Sequence, residues 1–234
     1  MELNNAVILI TGGSAGIGYA TAELLKNKGA TVVINGRNEK KLATAAEALG
    51  VDAVAGDVSR PADVKAIYQH IETEHGRLDA LVNNAGYGHF GTLDAIDLEE
   101  FNAVFATNVT GAMLMAQGAL PFFKRQDRGN IINISSTAGT RGFAGGSAYC
   151  GTKFALKAMT ECWRAELRQH NVRVVLINPS EVQTDFVVNS GREPRPFNPT
   201  KLQGIDIGHT IAAALEMEDR GFITELTVFA TNPQ

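Results

Sequence analysis

Cysteine is scarce: the 234-residue chain carries two, Cys150 and Cys162, both inside a segment of helical periodicity. Two thiols make no disulfide framework, and a reducing compartment is the plain expectation. The five histidines, His70, His75, His89, His170 and His209, show none of the short pairings that mark metal ligands, so no metal site is expected. Runs of Lys and Arg are absent and the net charge is −4, which argues against a nucleic-acid partner. The apolar stretch Ala6–Ile10 is far too short to span a membrane, and it lacks the basic start and cleavage region of a signal peptide. Internal repeats and low-complexity stretches are also missing. A soluble cytoplasmic protein without membrane attachment is expected, and its length fits one large α/β domain over residues 1–234.

What is present is alternation. Short β-branched runs, Ala6–Thr11, Thr31–Asn35, Ala53–Ala55, Ala80–Asn83, Asn130–Ser135, Arg173–Asn178 and Glu225–Phe229, are separated by segments of helical period near 17–28, 39–48, 61–75, 98–125, 149–169 and 206–216. This order predicts repeated βαβ units and a doubly wound parallel sheet of about seven strands with helices on both faces. Runs such as Val7-Ile8-Leu9-Ile10 are apolar at consecutive positions, as strands covered on both faces must be. Asp97 and Glu100 fit a helix start, and Pro61 suits a first turn. The one long irregular region, 185–204, contains three prolines and two arginines; such a stretch serves as a lid or binding loop, or as a linker.

The first strand turns into the first helix through Thr11-Gly12-Gly13-Ser14-Ala15-Gly16-Ile17-Gly18. Glycines there allow a tight turn and close approach to a pyrophosphate, whose charge the free N–H groups of the helix start would meet; glycines at such a turn can also serve packing alone. The second strand ends Ile34-Asn35-Gly36-Arg37-Asn38, with no carboxylate before Glu39. An acid at that point would bond the ribose 2′-hydroxyl of NAD. Its absence, with Arg37 available for charge-assisted bonds to a 2′-phosphate, favours NADP(H) over NAD(H).

Tyr149 and Lys153 lie one helical turn apart and share a face. A nearby ammonium favours a phenolate and would draw the tyrosine down from its ordinary value of about 10 towards neutrality, so reduction would fade as pH rises through that lowered value. Ser136 follows the strand ending at Ser135, where ligands of open parallel sheets bind; either serine could hold a carbonyl oxygen. No hydrolase triad or Gly-x-Ser-x-Gly elbow is present.

Together these segments, with Asp57-Val58, Asn83-Asn84-Ala85-Gly86, Asn108, Asn133-Ile134-Ser135-Ser136 and Asn178-Pro179, resemble the short-chain dehydrogenase/reductase family from about Asn5 to Asp185. The resemblance implies a Rossmann-like sheet, an NADP-dependent oxidoreductase acting on a carbonyl or alcohol, and a tetrad of Asn108, Ser136, Tyr149 and Lys153. Tyr149 would pass a proton to the carbonyl oxygen and Ser136 would hold that oxygen. Lys153 would bind the nicotinamide ribose and lower the Tyr149 pKa, and Asn108 would position a water. The cofactor would lie along Gly12, Ser14, Ala15, Gly16, Ile17 and Gly18, with Asp57 and Val58 at the adenine and Asn84, Ala85 and Gly86 at the ribose. Pro179, Val182 and Thr184 would sit by the carboxamide. A homodimer or homotetramer is implied, with helices 98–125 and 149–169 as contact surfaces.

The sequence departs from the family pattern in three places. Pro179 is followed by Ser180 instead of glycine, no basic residue precedes Gly16, and the C-terminal Phe222–Pro233 stretch lacks an Asp-Gly-Gly close. A preference for the 2′-phosphate therefore falls to Arg37 with Ser14 or Asn38. Tyr87, His89, Phe90, Thr137, Phe143 and Phe186 are candidates to line a substrate pocket, with His89, Phe143 and Phe186 taken as contacts. Their apolar character suits a ketone, an aldehyde or a 3-oxoacyl compound. Two other readings stand beside this one: an NAD-dependent alcohol dehydrogenase, and a catalytically silent nucleotide sensor on the same fold.

Overall fold

A computed structural model describes residues 1–193 and 196–232. In chain order its elements are β1 (Val7–Thr11), α1 (Gly16–Asn27), β2 (Thr31–Gly36), α2 (Glu39–Leu49), β3 (Asp52–Ala55), α3 (Pro61–Glu74), β4 (Ala80–Asn83), α4 (Leu98–Phe105) and α5 (Ala112–Gln126). There follow β5 (Gly129–Ile134), α6 (Ser147–Leu167), β6 (Val172–Pro179), β7 (Val182–Gln183), α7 (Phe186–Asn189), β8 (Leu202–Gln203), α8 (Gly204–Glu216) and β9 (Glu225–Val228). Seven strands form one sheet in the order β3-β2-β1-β4-β5-β6-β9, and every pair is parallel. The expected Rossmann-like fold is present.

Alternate residues of the strands feed two cores. From β1, Ile8 and Ile10 join Leu25 of α1, Leu42 of α2 and Ile207, Ile211 and Leu215 of α8. Val7 and Leu9 join Ile67 and Ile71 of α3, Met115 and Phe123 of α5, and Leu167 of α6. Burial on both faces is why these strands read as continuous apolar runs.

Between β1 and β4 the strand order reverses, because the chain builds β2 and β3 outward on one side and then crosses β1 to build the rest on the other. The strand ends flanking such a reversal open a crevice at the carboxyl edge of the sheet.

Two regions differ from expectation. The single helix expected over 98–125 is continuous, but Ala106–Gly111 is wound as a π-helix between α4 and α5. Leu98–Gln126 is also long and apolar enough to cross a bilayer by length and composition, although 44% of its most apolar window is buried inside the protein. The region 185–204 is not irregular throughout: it contains α7, and its end pairs as β8 with β7 in a small parallel sheet. Asp97 caps α4 as expected, accepting from the Glu100 N–H at 2.9 Å, and Pro61 opens α3.

Candidate active site

The glycine turn leaves β1 at the reversal. Gly12 has φ of +65°, a left-handed conformation that favours glycine. At Gly18 a Cβ would lie 2.3 Å from the Gly12 carbonyl oxygen, so the turn closes on the helix without room for a side chain. Asn84, beyond β4, fastens the turn by donating from Nδ2 to the carbonyls of Thr11 at 2.9 Å and Gly12 at 3.2 Å. Helix α1 begins after Ala15 with no side-chain cap and no acidic residue in its first turn. Its first N–H groups and the positive end of its dipole are therefore free for an anion.

From this turn a cavity of about 1270 Å³ runs along the carboxyl edge. Its wall includes Gly12, Ser14, Ala15, Gly16 and Ile17 from the turn, Arg37 and Asn38 after β2, Val58 after β3, and Asn84, Ala85 and Gly86 after β4. Ser136, Tyr149 and Lys153 follow, then Pro179, Val182 and Thr184. Segments that are distant in the sequence are thus brought to one crevice, large enough for a dinucleotide and a small substrate together.

Arg37 stands at one end, its side chain 59% exposed and its Nη1 3.9 Å from Asp57 Oδ2. The guanidinium also lies 5.9 Å from the Tyr87 ring centroid. Lys41 lines the same end, a second cation that the sequence reading missed. The signal was there, since Lys41 follows Arg37 by four residues in the first turn of α2. Asn38 caps α2, its Oδ1 accepting from the Lys41 N–H at 2.9 Å.

Asp57 is not among the residues of the cavity wall, although its carboxylate faces Arg37, which is. Its Oδ1 accepts from the Ser59 N–H at 2.9 Å and the Ser59 hydroxyl at 2.7 Å. Burial would raise its pKa, but these bonds, with Arg37 and Arg60, outweigh burial and hold the carboxyl below its ordinary value. Gly18 lies behind the turn, and His89 is not part of the wall. The neighbouring Phe90 takes that place.

At the middle of the cavity the tetrad residues gather. Ser136 stands just past β5, accepts from the Ala138 N–H at 3.1 Å and lies close enough to the Tyr149 hydroxyl to favour its ionised form. Ser135, the alternative, is buried and donates to the Lys153 carbonyl at 3.2 Å, so its hydroxyl is occupied in the framework. Lys153 is also buried, and its ammonium donates to the Ile134 carbonyl at 2.8 Å. Asn108 sits in the π segment, buried behind the wall. Its Nδ2 donates to the Tyr87 carbonyl at 2.9 Å and to Thr152 Oγ1 at 3.1 Å, while its Oδ1 accepts from the Tyr87 N–H at 3.1 Å.

The expected lowering of the Tyr149 pKa by Lys153 is not found. Burial pushes Tyr149 up to about 12, opposed by the neighbouring Ser136 hydroxyl, raised further by Cys150 and drawn down by Arg192. Burial brings Lys153 down to about 8. An apolar enclosure penalises phenolate and ammonium alike, so each group is driven toward its neutral form. Lys153 also spends its charge on a backbone carbonyl, with Nζ 5.6 Å from the Tyr149 ring centroid.

Above Tyr149 the cavity is aromatic. Ring centroids of Phe186 and Phe90 lie 5.3 Å and 5.5 Å from that of Tyr149, and Phe143 stacks on Phe90 at 6.2 Å. Arg192, from the 185–204 region, places its guanidinium 4.4 Å from the Phe90 centroid and donates to Ser190 Oγ at 3.1 Å. Ser180, standing where glycine was the pattern, donates its N–H to the Val228 carbonyl at 2.8 Å and needs no left-handed backbone.

The profile of the short chain dehydrogenase family matches residues 6–195. The chain is a short-chain dehydrogenase. This short-chain dehydrogenase is 35% identical over 232 residues to an oxidoreductase of Sarocladium schorii, covering 95% of this chain and 93% of that protein. It is 33% identical to a 3-oxoacyl-(acyl-carrier-protein) reductase of Thermotoga maritima, covering 89% and 85%. Among solved structures it superimposes on a 3-ketoacyl-(acyl-carrier-protein) reductase of Brucella melitensis complexed with NADH, with a TM-score of 0.89, 28% identity and 98% of each chain covered. A serine dehydrogenase complexed with NADP+ also gives a TM-score of 0.89, at 27% identity with 95% and 94% covered. Nicotinamide cofactors of both kinds thus occupy this fold, and α8 and β9 lie beyond the matched family span.

Proposed function

We propose that this short-chain dehydrogenase uses NADPH to reduce a small or medium carbonyl compound, with Tyr149 as the proton donor. The observation that carries the reading is the Ser136–Tyr149 hydroxyl pair, which opens on an aromatic chamber at one part of a dinucleotide-sized cavity. The uncapped start of α1 and the Gly12 turn suit the pyrophosphate, and Arg37 with Lys41 suit a 2′-phosphate. Bound there, NADPH supplies hydride to the carbonyl carbon.

The chain's own groups do the rest. Ser136 and Tyr149 hold the carbonyl oxygen between two hydroxyls, and Tyr149 gives its proton as negative charge develops there. A phenol raised to about 12 keeps that proton at neutral pH, which suits the reducing direction. Lys153 faces the same cavity, where its ammonium can meet ribose hydroxyls. Asn108 acts as a positioning residue by clamping both backbone groups of Tyr87. The aromatic chamber of Phe90, Phe143 and Phe186 suits an apolar body on the substrate. Arg192 over Phe90 adds a cation at its rim, so carbonyl compounds carrying a carboxylate belong in the first panel beside 3-oxoacyl thioesters, ketones and aldehydes. Action in the cytoplasm as a homodimer or homotetramer completes the proposal.

The test is titration with NADPH and NADH by nicotinamide fluorescence, followed by turnover on that panel. Tighter NADPH binding, weakened about tenfold or more in Arg37→Ala, is expected. Tyr149→Phe should then bind NADPH nearly unchanged and lose turnover by at least a hundredfold. A clear preference for NADH would refute the cofactor assignment, and full activity of Tyr149→Phe would refute the mechanism.

A further inference from the structure

Two of the five histidines, His70 and His75, do meet in the fold although they share no motif in the sequence. Asp52 is the first residue of β3, the edge strand of the sheet. His70 lies in the last turns of α3, and His75 is its C-terminal cap. A βα unit explains the meeting: the helix that follows a strand runs back to the amino edge of the sheet, so the end of α3 returns to the start of β3.

Both imidazoles converge on one atom. His70 Nε2 is 2.7 Å and His75 Nε2 is 2.8 Å from Asp52 Oδ2. The other carboxylate oxygen, Oδ1, accepts from the Ala53 N–H at 2.7 Å, which fixes the orientation in which Oδ2 is presented. The two rings stand edge to face, with an interplanar angle of 71°. The three side chains are 29%, 15% and 30% exposed, sheltered on the protein side and open to water on the other. The three ligand atoms lie within 4.8 Å of one another.

We propose that Asp52, His70 and His75 form a binding site for a borderline divalent transition-metal ion of the zinc type, with water completing the coordination. Two imidazole nitrogens and one carboxylate oxygen suit Zn²⁺ and its neighbours, whereas Mg²⁺ and Ca²⁺ prefer oxygen ligands throughout. A tetrahedral ion at ordinary bond lengths holds its ligand atoms roughly 3.4 Å apart. The present N···O separations therefore open by about 0.6 Å on binding, within reach of small side-chain rotations. Coordination needs each Nε2 as a bare lone pair, with the ring hydrogen carried on Nδ1, so protons compete with the ion for these nitrogens and binding weakens in acid.

The site is remote from the candidate active site. Asp52 is at the amino end of β3, about 13 Å by strand rise from Gly56 on the cavity wall. The ion acts as a clasp between the edge strand and the end of α3, and its effect is on stability.

The experiment uses the tag-free full chain stripped with a chelator. Calorimetric titration with Zn²⁺ should show one ion per chain and Mg²⁺ none, and a hundredfold excess of Zn²⁺ over its Kd should raise Tm by roughly 5–10 °C. Asp52→Asn and His75→Gln should each weaken binding at least tenfold. Co²⁺ bound to the unaltered protein should give ligand-field absorption without a thiolate charge-transfer band, which excludes Cys162 as the ligand. Absence of Zn²⁺ binding, binding undiminished in both variants, or a thiolate band would each overturn the proposal. The cobalt spectrum decides the matter even if a variant fails to fold.

Discussion

At the scale of single residues, Lys153 is a buried group whose protonation the fold shifts into the working pH range. Its pKa falls to about 8 from 10.5, so the unfolded chain holds its proton more tightly than the folded one. Stability linked to this group therefore rises with pH from about 8 to 10.5, and the buried ammonium destabilises the protein fully below that window. Lys153→Met should accordingly differ most from the unaltered protein at pH 7. That difference should shift by about 2–3 kcal/mol between pH 7 and 10 in urea unfolding; a pH-independent difference would rule out a strained ammonium. Tyr149, raised to about 12, contributes no titration in this range, so an alkaline limb of reduction near pH 8 should belong to Lys153. Much at this scale was legible. The glycine turn, Arg37 and the Tyr149–Lys153 pair were read from spacing and chemistry that depend on local structure alone. The direction of the Tyr149 shift was not, because it depends on how dry the cavity is. Arg192 over Phe90 and the meeting of His70 with His75 were not either, since both need the chain path in three dimensions.

Among the elements, polar side chains buried within the parallel sheet tie its layers together. Asn133 in β5 accepts from Asn83 of β4 at 3.0 Å and donates to Thr160 of α6 at 2.8 Å, and Asn83 also donates to the Ala112 carbonyl of α5 at 3.2 Å. Removing the middle link strands its partners away from water. Asn133→Ala should cost about 2–4 kcal/mol in denaturant unfolding, more than its small loss of contact alone; a cost under 1 kcal/mol would mean that water repairs the gap. The seven strands of the main sheet and the principal helices were visible as apolar runs of two periods. The π stretch at Ala106–Gly111 was not, because its composition continues the helical pattern on either side. The two-residue strands β7 and β8 are shorter than any periodicity can register.

For the whole molecule, the helices expected to meet a second subunit do carry exposed apolar side chains: Leu98 on α4 is 70% exposed and Phe154 on α6 is 45% exposed. Light scattering should give two or four times the 25.0 kDa chain mass, and Phe154→Glu should shift it toward one; a monomer at micromolar concentration would refute the proposed assembly. The order in which the cores are completed has a consequence for biosynthesis. The inward face of α1, with Ala22 and Leu25, shares its core with Ile207, Ile211 and Leu215 of α8, near the opposite end of the chain. A ribosome therefore exposes that face long before it supplies the α8 cover. Until α8 emerges, α1 keeps an unfinished apolar surface, the kind of face that a chaperone covers on a nascent chain.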